Sequence, residues 1–183
     1  MACNFKGQGF IGLLVGLAQI KGADAKQKLL PHLNADLKVL VARDGIIASG
    51  WYPLAWYSEV TKAIRDEYGP DIGLEIGRLG MRNDINSFIR FILALASPLM
   101  LLHLSSRVFR IYFQGANLET KQTGPREGRL HMWGLDGTNA ATWDAIGGAV
   151  AAFVELSGGK DVKVRIDRDG GELPTCEFVV TWA

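Results

Sequence analysis

The glycines come first among the residues that could do chemistry here. Gly7-Gln8-Gly9-Phe10-Ile11-Gly12 matches G-x-G-x-x-G, which brings a pyrophosphate to a helix N-terminus when a strand leads in and a parallel βαβ unit follows. Only six residues precede it and no such unit follows, so dinucleotide binding is not expected and these glycines read as a flexible entry to a first helix. Gly158-Gly159-Lys160-Asp161 lacks the hydroxyl residue and upstream glycine of a phosphate loop, and reads as a helix stop. His32, His103 and His131 fall in loop, helix and strand patterns with no partner at metal-ligand spacing, so no metal site is expected. His103 alone lies in an apolar stretch, where an imidazole can take a haem iron or, more simply, bond a backbone carbonyl at the edge of a core. Cys176 reads as a small buried hydrophobe. Cys3 reads as a free surface thiol, with a thioester-linked lipid as the alternative. No catalytic residues are assigned.

Two groups suit binding instead. Trp51, Tyr52, Trp56 and Tyr57 are rings with polar tips that fit a pocket wall, an interface or ordinary core packing. Arg78 and Arg82, one helical turn apart, can hold a carboxylate or phosphate by forked bonds, or pair with Glu75 or Asp84. Between Arg90 and Arg107, the run Phe91 to Ser106 carries no charge and is broken by Ser97-Pro98. A membrane span needs about 20 apolar residues without a proline break, so two buried helices meeting at Ser97 are expected. The ligand-facing set is thus Trp51, Tyr52, Trp56, Tyr57, Arg78, Arg82, Phe88, Phe91, Ile92, Leu102 and His103.

Helical spacing positions these groups. Phe10, Leu13, Leu14, Leu17 and Ile20 mark one helix, stopped by Lys21-Gly22. Asp24 and Asn34 are caps for two short helices. Pro53 starts a helix through Tyr68, Asp71 caps one through Leu79, a further run includes Ile85, Phe88, Ile89, Ile92 and Leu93, and Pro98 opens one reaching Phe113. After Gly115 the period falls to 2. A hairpin joins Leu118–Gln122 to Arg129–Leu135 through a six-residue loop, a helix runs from Trp143 to Val154, and a second hairpin flanks Asp169-Gly170-Gly171-Glu172. The expectation is an α+β fold, with a helical layer packed on a four-stranded twisted antiparallel sheet and the C-terminal order hairpin, helix, hairpin. One domain over 1–183 is expected, helical over 8–113 and hairpin-helix-hairpin over 116–183.

Composition narrows the role. Of 183 residues 48% are hydrophobic and 21% charged, with a net charge of +1, so no overall field draws nucleic acid. Arg107, Arg110, Lys121, Arg126 and Arg129 are offset by Glu119 and Glu127. The N-terminus lacks a signal-peptide pattern, which makes the cytoplasm the default.

Trp51-Tyr52-Pro53 opening a helix, Gly77-Arg78 further on, Thr123-Gly124-Pro125 in a hairpin and Cys176-Glu177-Phe178 ending in Trp182 occur in a familiar order. With them the chain resembles the myxobacterial paralogous family of small uncharacterised proteins, over nearly its whole length. That family is distantly similar to the superfamily of 4-vinyl-reductase-type domains, TRAPP vesicle-tethering subunits and haem nitric-oxide-binding domains. The resemblance implies helices on a twisted antiparallel sheet, dimers formed through helices, and an apolar cavity. Zinc-containing relatives carry several cysteines near the last hairpin where this chain has only Cys176, so a metal is not implied. Haem-binding relatives use a histidine followed later by Tyr-x-Ser-x-Arg. Here His103-x-Ser105-x-Arg107 has histidine in the tyrosine's place and no separate earlier ligand. TRAPP-type subunits hold an acyl chain, and the region from Phe91 to Leu104 could line such a space, though no acylation cysteine matches. The leading expectation is a non-enzymatic cytoplasmic ligand-binding or sensory domain, homodimeric, without a cofactor, enclosing an apolar small molecule or acyl chain. A TRAPP-like adaptor for a protein partner and a haem-based gas sensor using His103 are the alternatives.

Overall fold

The computed structural model describes residues 3–85 and 97–183. The chain starts in a short strand, β1 (Asn4–Lys6), and turns directly into α1 (Gly7–Lys21). The glycines of the G-x-G-x-x-G pattern lie inside this helix, which corrects their reading as a flexible entry. Gly12 sits where an added Cβ would come within 2.7 Å of the Gly80 carbonyl oxygen, so they are there for close packing. A short helix α2 (Ala25–Leu29) and a 3₁₀ turn (Leu30–His32) lead to α3 (Ala35–Ala42). Asn34 caps α3 as its sequence position predicts, its side chain accepting from the Leu37 N–H at 3.0 Å. Asp24 and Asp71 make no such side-chain bond, so those two helices begin without the expected caps.

β2 (Trp51–Pro53) precedes α4 (Leu54–Tyr68), and α5 (Ile72–Asp84) follows. The expected helical run through Phe88, Ile89, Ile92 and Leu93 lies outside the described residues. α6 (Pro98–Tyr112) opens as expected, with Pro98 in the first turn and the Ser97 hydroxyl accepting from the Met100 N–H. β3 (Phe113–Gln114) then returns to pair with β1, so β1 is the centre of a small antiparallel sheet ordered β2-β1-β3. That sheet has no counterpart in the sequence pattern. Strands of two or three residues are too short to show a period of 2.

The C-terminal part follows expectation closely. β4 (Asn117–Gly124), β5 (Glu127–Trp133), α7 (Ala140–Leu156), β6 (Lys163–Asp169) and β7 (Thr175–Thr181) give hairpin, helix, hairpin, and the four strands form one antiparallel sheet ordered β4-β5-β7-β6. The first turn is tighter than six residues, because Gly124 pairs with Glu127 across Pro125-Arg126. The architecture is α+β, with a helical layer on a four-stranded antiparallel sheet. One sheet face is apolar, with Leu130, Met132, Cys176, Phe178 and Val180 all buried. On the other, Arg129 pairs with Asp167 and Glu177, and Arg168 pairs with Glu177 at 2.6 Å.

α5 is the axis of the helical layer. It meets α1 through Gly12, Gly16 and Gly80, and α7 through Gly73, Gly77 and Gly148. A Cβ on Gly77 would fall on the Ala145 carbonyl, and one on Gly148 on the Leu74 carbonyl, so at these crossings backbone rests on backbone. Beneath α7, Trp143 is fully buried, edge-on to Phe178 at 6.1 Å, with its indole N–H donating to the Leu173 carbonyl at 3.2 Å. Such a buried ring needs a partner for its N–H, and this one has it. Among the described residues no helix is long and apolar enough to cross a membrane.

Candidate functional site

α6 does not reach α5 as closely. Its Leu102 side chain rests over Gly128 of β5, and Thr120 of β4 donates to the Leu102 carbonyl at 2.8 Å, so this helix is seated on the sheet's first hairpin. Between α6, α5, α7 and the apolar sheet face lies a chamber of about 130 Å³. α6 supplies one wall with Leu101, Leu102, Val108 and Phe109, and α7 another with Ile146, Val150 and Phe153. Leu130, Met132 and Val180 form the floor, and Gly77, Gly80 and Met81 of α5 the far side. The volume resembles an engineered apolar cavity of about 150 Å³ that takes benzene, and is below the roughly 300–1,000 Å³ of drug-sized sites.

One end of the chamber differs. Asp84, the last residue of α5, lines it beside Tyr57 of α4 and Tyr112 at the end of α6. The Tyr112 hydroxyl donates to the Asp84 carboxylate, and the Gln8 amide reaches the same residue, donating also to its backbone oxygen at 2.7 Å. Burial pushes the Asp84 carboxyl up to about 6, against the pull of those two hydrogen bonds. Burial first, and the nearby Asp84 charge second, raise both tyrosine phenols. Behind this corner stands an aromatic cluster in which Phe5 lies 4.2 Å from Tyr57 and 4.9 Å from Phe113, centroid to centroid.

Of the residues singled out from sequence, Tyr57 and Leu102 line the chamber. Tyr52 and Trp56 stack at 6.2 Å against the core, with the Tyr52 hydroxyl accepting from the Ile47 N–H, and Trp51 lies under Lys6 at 4.3 Å. Arg78 and Arg82 share one acid, but it is Glu155 of α7, at 3.3 and 2.7 Å, rather than Glu75 or Asp84. That partner is more than seventy positions away in sequence, and only the α5–α7 crossing brings it near. Phe88, Phe91 and Ile92 lie outside the described residues.

His103 is exposed, and the chamber-lining positions of α6, from Pro98 through Leu101, Ser105 and Val108 to Tyr112, occupy the other side of that helix. It is therefore neither at the core edge nor facing the chamber. His131 is on the outer sheet face, 3.2 Å from the Thr175 hydroxyl. Cys3 is buried rather than at the surface, and burial raises its thiol to about 11. Cys176 is buried as expected. Sequence reading missed Asp84 and Tyr112 as chamber residues. The available signal was that Asp84 continues the stripe Gly77, Gly80, Met81 on one face of α5, so that a carboxylate stands where the inward pattern calls for an apolar residue.

No family model matches the chain, so the narrower resemblance to the myxobacterial family and to 4-vinyl-reductase-type domains rests on the quoted motifs alone. No curated protein matches it in sequence. Solved structures do match, and those are H-NOX domains. The Fe(II) unliganded H-NOX protein from K. algicida superposes with a TM-score of 0.71 at 10% identity, covering 97% of this chain and 96% of that one. An oxygen-binding H-NOX domain related to soluble guanylate cyclases, solved as its oxygen complex, gives 0.63 at 11% identity, covering 97% and 94%. A structure described in terms of haem redox potential and porphyrin distortion gives 0.64 at 11% identity over the same shares. These neighbours overturn the expectation of no cofactor, since they are described with haem or with Fe(II). At such identities the likeness is one of fold: this chain has the fold of haem nitric-oxide-binding domains from near its first residue to near its last.

Proposed function

We propose that this chain is a small-molecule sensory domain that takes its ligand into the chamber between α6 and the sheet, with haem as the leading candidate for that ligand. The observation that carries the reading is the coincidence of an apolar chamber with a fold whose solved examples include an oxygen complex and Fe(II) proteins. The walls suit a porphyrin face, being aliphatic and aromatic, while the described lining residues include no cation to meet its carboxylates. Two features depart from a histidine-held haem. No histidine or cysteine is among the described lining residues, and the space of about 130 Å³ is smaller than a porphyrin needs. The side chains that do line the chamber and belong to types known to take haem iron are the thioethers Met81 and Met132 and the phenols Tyr57 and Tyr112.

Titration of the purified protein with haem, followed by absorption, tests this. The expected result is a saturable, sharpened Soret band at one equivalent that survives His103→Ala. No band, with an apolar small molecule still co-purifying in native mass spectrometry, removes haem and leaves the chamber reading. A band abolished by His103→Ala overturns the assignment of the iron to the lining thioethers and phenols.

A further inference from the structure

Among the described residues, Asp84 is the one carboxylate and the one readily ionised side chain on a lining whose other described members are apolar apart from Ser105 and two phenols. No lysine, arginine or histidine among the described residues faces it from the elements packed around this corner. α1 presents Gln8, α4 presents Tyr57 and α6 presents Tyr112. A carboxylate in such a place is costly when charged, and the costs fall when a cation or strong donor is brought to it. Tyr112 and Gln8 supply hydrogen bonds but no positive charge. We propose that the Asp84 corner is a head-group subsite, which takes an apolar ligand by a protonated nitrogen and turns away isosteric carboxylates. This rests on the reading of the chamber as a ligand site. It also bears on haem, because Asp84 would turn the carboxylate edge of a bound porphyrin away from this corner.

The balance of charge supports the assignment. An alkylammonium stays protonated well above neutral pH, whereas the Asp84 carboxyl, raised to about 6 by burial, is ionised only above that point. Binding then joins two opposite charges, and below the carboxyl's pKa it costs the removal of a proton. The preference for nitrogen should therefore weaken on acidification, about tenfold for each pH unit below that pKa.

The experiment is displacement of Nile red from the full chain by hexylamine, hexanol and hexanoate, near pH 7.5 and near pH 5, with Asp84→Asn alongside. Hexylamine is expected to compete about tenfold or more better than hexanol, with hexanoate weakest; the amine's advantage should shrink about tenfold near pH 5 and vanish in Asp84→Asn. Hexanoate competing as well as hexylamine, or an amine preference that survives Asp84→Asn, overturns the subsite. If Nile red and all three competitors fail to bind, the chamber reading itself falls. Calorimetry of the unsubstituted protein near pH 6, in two buffers of different ionisation enthalpy, is a check that needs no variant. Hexylamine should release a fraction of a proton and hexanol none, and equal proton release from both overturns the subsite.

Discussion

The two sides of α5 are both apolar and end in opposite states. Toward α1 and α7 the helix is packed solid, because glycines at 12, 16, 77, 80 and 148 let backbones touch and Gly73 admits the Asp144 side chain. Toward α6 the wall is made of leucines and phenylalanines, which hold the helix off, and a cavity of about 130 Å³ remains. Apolar content therefore does not decide whether a region is core or chamber. Side-chain size at the crossings does, since interiors close to crystal density only where shapes interlock.

The most severe way to break this comparison is on the solid side. Gly77→Ala drives a methyl into the Ala145 carbonyl and is expected to cost about 4 kcal/mol or to prevent folding, read by urea unfolding. Truncation on the two sides should separate next. Leu17→Ala, in a fully buried position, is expected to cost about 3–5 kcal/mol, whereas Leu102→Ala, already bordering empty space, should cost about 2 kcal/mol and enlarge the space available to Nile red. Equal costs would mean that the chamber closes in solution.

A smaller effect, of opposite sign, comes from Asp84. Its folded pKa lies above the unfolded value, so the protonated form is favoured by folding and stability declines as pH rises from about 4 to about 6. Asp84→Asn should therefore be more stable than the natural chain near pH 7.5, by about 1–2 kcal/mol once the carboxyl's partial exposure is allowed for, and the gain should disappear near pH 4. The smallest effect is chemical. Cys3 and Cys176 are buried, with thiols pushed up to about 11 and about 12, so Ellman's reagent should label neither until the protein unfolds. Fast labelling of Cys3 alone would place the break at the β1–β2–β3 sheet.

Local signals were legible. Asn34 capping α3 and Pro98 opening α6 are statements about neighbours in sequence, and folding preserved them. The alternation of the last hairpin marks its two strands, but the register shifts between Ile166 and Arg168, and β7 is buried at every position from Cys176 to Val180. The four strands were legible, but their order β4-β5-β7-β6 was not, because β5 pairs with β7 far along the chain. What escaped depends on distant pairing. Trp51–Pro53 reads as a helix entrance, yet it forms a strand because β1 reaches it across 45 positions. Glu155 answers Arg78 and Arg82 only because α7 crosses α5. Little of the chamber lining was legible: of the described residues named from sequence only Tyr57 and Leu102 line it, while Asp84, read as a partner for arginine, turned inward with Tyr112. His103 drew attention as a histidine among leucines, but spacing alone does not tell which side of an amphipathic helix meets the sheet.

The backbone contacts around α5 also bear on which wall of the chamber can move. A helix held on two flanks by close glycine contacts has little room to slide, so widening the chamber falls to α6, tied to β4 by the hydroxyls of Thr120 and Ser105. Any displacement of that helix would move its outward side, where Met100, His103 and Ile111 meet solvent, and leave α5 in place.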